Sequence, residues 1–404
     1  MSIVLLWLFY SLNSPLFPTN SNFYSFIRFI IIFLALILSF HHLPKKNINK
    51  NYKVYSSMTL FVIFVLVQSY FKSPFIEVSI LKIITWFSLF IALMNCWTRI
   101  NEKEFYELSK NIFTIFTFIT ISSLFLIKSK YGYVQNIDLF QGVLHHPQLF
   151  AIVMSIYGLI IITGFPYRLN SSIGNILLFA IVIFLLLLSN GRTGILALFV
   201  SMIIYLMVNP TFDHIKKKYT NTSKVVFFVS LIVLPFFVIL IFQINDYFNL
   251  NILENIITKS GVTEKKLLTT AYLESRGDLL FDVYKNILDN FWSGIGFGIS
   301  SNLETFVVLR DPFFNIPYFG AVEKGMLFLA VLEETGIFGF LLFVFFLFCC
   351  FFNLCEAGFK SLPLFSIILL LNLGENTFFS TGGVGSLLLI FFTLSISKKA
   401  TYYN

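Results

Sequence analysis

The chain has 404 residues, is 57% hydrophobic and only 12% charged, with a mean hydropathy of +0.84 and a formal net charge of +8. A water-soluble core of this length needs a charged surface that this composition does not supply, so a soluble globular protein is excluded. The basic excess has no nucleic-acid pattern behind it and is read as an orientation signal in membrane loops, one that an anionic lipid substrate would also suit.

Apolar runs of roughly 17 to 25 residues recur from end to end, the length at which a helix crosses a hydrocarbon layer about 30 Å thick. The predicted fold class is therefore all-α, a polytopic transmembrane helical bundle of about 12 spans with a large outward loop between the ninth and tenth. The predicted spans are residues 2–17, 24–41, 55–71, 76–98, 109–127, 147–165, 174–189, 194–209, 224–243, 326–352, 361–378 and 382–397. Three segments follow: 1–243 with spans one to nine, 244–325 as a large loop with amphipathic helices, and 326–404 with spans ten to twelve and a tail. The first stretch, Ile3 to Leu16, has no basic leader and no small-residue cleavage site, so it is read as a short first span. The 53 Phe read as compositional bias, mostly lipid-facing filler. Cys96, Cys349, Cys350 and Cys355 fall at span ends on the predicted cytoplasmic side and are expected as packed thiols.

Lys and Arg gather in alternate loops: Lys45, Lys46, Lys50 and Lys53; Arg99, Lys103 and Lys110; Arg168; Lys216, Lys217, Lys218 and Lys224; Lys360; Lys398 and Lys399. Basic residues mark the cytoplasmic side of short loops, which puts both termini in the cytoplasm and residues 244–325 outside. No fixed-period repeat and no pair of broken helices of the transporter kind is visible.

Polar residues that hydropathy would have excluded carry the functional reading. Asn190-Gly191-Arg192-Thr193-Gly194 is a short hairpin between two spans. Arg192 there fits a phosphate or diphosphate at headgroup depth, or else merely snorkels and caps the hairpin. In the large loop, Glu274-Ser275-Arg276-Gly277-Asp278 leads into a helical pattern with Leu279, Leu280, Val283 and Ile287 on one face, an amphipathic helix along the membrane or a solvated helix with ordinary pairs. Gly294-Ile295-Gly296-Phe297-Gly298 permits unusual backbone angles, but without a following Lys it is no phosphate-cradling nucleotide loop. Glu323-Lys324-Gly325 precedes span ten, with Glu333 and Glu334 one to two turns into the apolar run. Carboxylates at that depth are costly unless paired or wetted, a cost relieved if the helix lies first in the interface and turns inward at Gly336 and Gly339. His145 and His146 before Pro147 lack further ligands for a metal, so interfacial hydrogen bonding is the expected role, and Glu375 and Asn376 either line the same cavity or cap a helix.

Taken in order, the hairpin 189–195, the Arg276 segment leading into 294–298, and Leu332-Glu333-Glu334-Thr335-Gly336-Ile337-Phe338-Gly339 resemble the O-antigen ligase and O-antigen polymerase superfamily across roughly residues 140–397. The resemblance implies a glycan-transferring enzyme of the bacterial plasma membrane whose partners are a polyprenyl-diphosphate-linked glycan, membrane lipid and a chain-length regulator. It implies that Arg192 and Arg276 hold the diphosphate, and that Lys82 is the nearest counterpart of a basic residue at the outer end of an early span. The ligase branch has His-Asn at the start of the Glu-Thr-Gly helix, whereas counting back from Glu334 meets Gly325 here. Polymerisation of repeat units is accordingly expected ahead of transfer to lipid A core, with Glu323 the candidate base and His145, His146, Lys324 and Glu334 substrate-binding candidates. No cofactor or metal is required by such a scheme. A lipid-linked oligosaccharide flippase is the rival reading, and it predicts charges along the spans near the midplane.

Overall fold

The structure is a computed structural model that describes residues 21–40, 51–133, 139–164, 173–208, 281–304, 306–310, 317–320, 324–357 and 359–397. Predicted spans 2–17 and 224–243, and the predicted site residues Arg276 and Glu323, lie outside these residues.

The described residues are mostly helical: α1 (Ser21–Phe40), α2 (Tyr52–Lys72), α3 (Ile76–Arg99), α4 (Glu102–Phe125), α5 (Pro147–Thr163), α6 (Ile173–Leu188), α7 (Arg192–Val208), α8 (281–289), α9 (Leu327–Ala357), α10 (Leu362–Leu371) and α11 (Gly383–Ile396). A two-stranded antiparallel ribbon, β1 (Val308–Arg310) with β2 (Pro317–Gly320), lies against α1 and α3. Four helices, α2, α3, α4 and α9, are long and apolar enough to cross a membrane by themselves, and α1, α5, α6, α7, α10 and α11 are shorter apolar helices at the other predicted spans.

Local chemistry sets the boundaries. Asn101 accepts from the Glu104 amide at 2.8 Å while the Glu104 carboxylate accepts from the Asn101 amide at 3.0 Å, so α4 starts on a capping box well before the predicted 109. Pro147 sits in the first turn of α5, and Gly164 ends that helix in the left-handed conformation. The span predicted over 361–378 stops as helix at Leu371, because the Asn372 side chain accepts from the Thr377 amide and closes a turn over 372–377.

A helix apolar all round belongs inside a bundle, and α11 is buried along Val384–Ile396, with α3, α5, α9 and α10 around it. Among the described residues, lipid-facing filler fits only part of the Phe, and about as many are buried as exposed. Phe61, Phe90, Phe343, Phe346, Phe378, Phe379 and Phe392 are buried and converge on Trp86, whose indole N–H donates to the Phe378 carbonyl at 2.9 Å. Rings tile this centre at 4.9–6.4 Å between centroids because wide side chains close the gaps that straight helices leave. Phe338, Phe345, Phe348 and Phe352 are exposed on α9 and do fit the lipid-facing reading. The four cysteines are free thiols.

Trp86→Ala removes both the indole ring and its hydrogen bond, and a loss of roughly 3–5 kcal/mol is expected. Thermal unfolding in detergent should show it as a lower midpoint at unchanged helix content.

Candidate functional site

The end of the bundle where α5, α7 and α9 begin carries the polar residues singled out above. Its organising feature is a break in α9. Gly336 has φ 66° and ψ −176°, which interrupts the helix between Glu334 and Ile337. The carbonyls of Glu333 and Glu334 lose their helical partners and accept instead from the amides of Ile295 and Gly296, each at 3.0 Å, while the Ile337 amide donates to the Phe291 carbonyl at 2.9 Å. Gln68 of α2 donates to the carbonyls of Ser293 at 2.7 Å and Glu334 at 3.0 Å, closing the junction from a third side. The turn predicted at Gly336 and Gly339 is thus found at Gly336 alone. Gly339 is helical.

The alternate glycines of 294–298 make this join possible. All three have positive φ, 66°, 115° and 73°, a region an L side chain seldom enters. A side chain on Gly294 would strike the Glu334 carbonyl and the Gly336 amide, one on Gly296 would strike Ser73, and one on Gly298 would strike Lys82. The loop is a backbone thread through a narrow space, as the sequence reading of glycine freedom expected.

Inside the thread sits a buried ionic cluster. The Lys324 ammonium is 2.7 Å from one carboxylate oxygen of Glu333 and 3.2 Å from one of Glu334, all with side chains closed to solvent. Glu333 also accepts from the Asn286 amide nitrogen at 2.7 Å and the Ser301 hydroxyl at 3.1 Å, and Glu334 accepts from the Gly298 amide at 2.7 Å. Lys82, in the second turn of α3, lies over the Phe297 ring at 5.6 Å and lines the space beside Gly298. Two cations and two carboxylates thereby balance. That offsets the cost of carboxylates inside an apolar run, since Glu333 and Glu334 are each paired with Lys324 and each accepts a hydrogen bond.

The hairpin before α7 is fixed by close packing. Asn190 adopts φ 53°, a conformation Asn tolerates better than other side-chain-bearing residues, and Gly191 and Gly194 face α5 so closely that a Cβ on either would meet Ala151. Thr193 packs against Gly374 in the 372–377 turn, and the Asn372 carbonyl of that same turn accepts from the Leu327 amide at 3.0 Å. Arg192, exposed at the first position of α7, is therefore linked through one turn to the start of α9 and to Lys324. His146 caps α5, its Nδ1 accepting from the Gln148 amide at 3.3 Å, and His145 beside it is exposed. A pairing of Arg310 with Glu77 at 2.6 Å ties β1 to the first turn of α3.

The structure thus brings together Lys82, Lys324 and Glu334, sets Arg192 and the two histidines on neighbouring helix starts, and adds three residues the sequence reading missed: Asn286, Ser301 and Gln68. Asn286 carried a signal, being a polar residue three positions after Val283 on the inward side of α8. One expectation is corrected. The apolar face containing Val283 and Ile287, expected along the membrane or on a solvated helix, is buried against the protein, where Asn286 between them is bound to Glu333.

Fold and site define a helical membrane protein with a closed ionic cluster and an exposed arginine at one end of its bundle. Residues 177–344 match the family model described as O-antigen ligase, which bears out the resemblance to the O-antigen ligase and polymerase superfamily over that stretch. No curated protein matches the chain.

Removing one partner of a buried pair leaves the other charge uncompensated, at roughly 3–5 kcal/mol. Lys324→Met and Glu333→Met should each lower the unfolding midpoint, whereas the double variant, which removes both members of the closer pair, should recover part of the loss. A double variant no better than the sum of the singles contradicts the pairing. Gly336→Ala should unfasten the 291–296 junction, seen as new proteolytic cleavage in that loop.

Proposed function

We propose that the chain transfers glycan from a polyprenyl diphosphate carrier at the outer leaflet of the bacterial plasma membrane, and that it polymerises repeat units. Orientation follows from the loop bias of the full sequence: fifteen Lys and Arg fall in one set of alternate short loops, against Lys72, Lys82, Lys128, Lys130 and Arg192 in the other, which favours the first set as cytoplasmic. The observation that carries the reading is the placement of Arg192, exposed at a helix start on a hairpin whose two glycines pack tightly against α5. A helix N-terminus adds partial positive charge, and an arginine fork matches phosphate oxygens in pairs.

In the proposed reaction a sugar hydroxyl of one lipid-linked unit attacks the anomeric carbon of another. A carbon–oxygen bond forms as the bond to the diphosphate oxygen breaks, and the hydroxyl proton passes to a carboxylate, for which Glu323 is proposed. Arg192 and Arg276 hold the departing diphosphate, each contributing about 3 kcal/mol in a site poor in water. Lys82, Lys324 and Glu334 act on substrate only through the loop they fasten. His145 and His146 edge the same surface as sugar contacts. Ligase activity is the second reading, favoured by the match of residues 177–344 to the O-antigen ligase family. The flippase reading is weaker, because the described acidic pair lies at one end of a span and not along a path through it.

Glycan display by gel in a strain lacking this protein distinguishes these readings. Polymerase activity predicts single repeat units where the wild-type gene gives a ladder, and failure of Arg192→Ala and Arg276→Ala despite normal membrane levels. Polymer retained on the carrier would instead mark a ligase, and full ladders from both variants would remove the diphosphate site.

A further inference from the structure

We infer that residues 281–292 form an in-plane membrane element whose aromatic face is seated at the border between lipid headgroups and acyl chains. At 100° per residue, α8 divides into three faces. Val283, Asn286 and Ile287 point into the protein, the last two beside or bound to the ionic cluster's neighbourhood. Asp282, Lys285 and Asp289 form a charged strip. Phe281, Tyr284 and Leu288 form a third face, 69%, 63% and 61% exposed, which Trp292 extends at 65%.

What covers that third face follows from its continuation. The Trp292 ring lies 5.7 Å from Phe338, and Phe338 begins an exposed stripe on α9 formed by Leu341, Phe345, Phe348 and Phe352. Helix α9 is long and apolar enough to cross a membrane, so this stripe faces acyl chains, and the face of α8 joins its end. Tyr70 and Phe71 stand exposed at the adjacent end of α2. Trp and Tyr concentrate at the membrane boundary, where a ring is half in lipid and half in water. A basic and acidic strip on the remaining side suits the headgroup layer. The occupant is therefore lipid. The inference rests on the membrane-crossing reading of α9 and is independent of glycan transfer.

The test is nitroxide accessibility in full-length protein reconstituted in phosphatidylethanolamine–phosphatidylglycerol nanodiscs, with labels on Tyr284→Cys, Leu288→Cys, Lys285→Cys and Asp289→Cys and the parent chain measured as background. Oxygen collisions should exceed nickel-chelate collisions severalfold at 284 and 288 and reverse at 285 and 289. Nickel access at 284 and 288 would put the face in water, and closure to both reagents would put a protein there, a second copy or another chain. Either outcome overturns the proposal. As a measurement without new cysteines, quenching by lipids brominated near the carbonyl should fall in Trp292→Phe relative to the unaltered chain; equal quenching contradicts the seating.

Discussion

Everything at the site end hangs on the interrupted helix at Gly336. An α-helix entering a membrane uses its own carbonyls, and a break there leaves backbone groups that hydrocarbon cannot satisfy. This chain gives those groups to the 291–296 loop and to Gln68, so the break is also the fastening point of the large loop. The glycines on both strands of that junction are a consequence: two backbones approach so closely that neither can carry a side chain.

Charge follows from the same arrangement. The loop folded over the break excludes water from Glu333 and Glu334, and in that setting the carboxylates need Lys324, Asn286, Ser301 and the Gly298 amide. The buried ion pairs and the hydrogen bonds to Asn286, Ser301 and the Gly298 amide tie the loop to the broken helix, while Arg192 lies exposed at the start of α7 at the same end of the bundle.

Much of the fold was legible in the sequence because hydrocarbon thickness imposes a length on apolar runs. Ten of the predicted spans fall on described helices, although four alone have the length and hydropathy to cross by themselves. Order of the hairpin, the glycine loop and the Glu-Thr-Gly stretch sufficed for the family resemblance that the match over 177–344 supports. Partner identity was not legible. Lys324 and Glu333 are nine residues apart with a helix between them, and Asn286 is 47 residues from Glu333, separations at which no periodicity speaks. The inward face of α8 was not legible for the same reason, since Val283 and Ile287 look alike whether they meet lipid or protein, and the bonded Asn286 between them decides. Burial of so many Phe was hidden as well, because composition does not say which side of a helix faces a neighbour.

The aromatic centre around Trp86 has one more consequence. Phe297 reaches from the glycine loop to Phe379 at 5.1 Å, and Phe379 touches both Trp86 and Phe343, so a closed floor of rings lies directly beneath the ionic cluster. The ring layer fixes a boundary: Phe297 has the Lys82 ammonium over its face and Phe379 packed against it, so the buried charges pass directly into the apolar centre of the bundle.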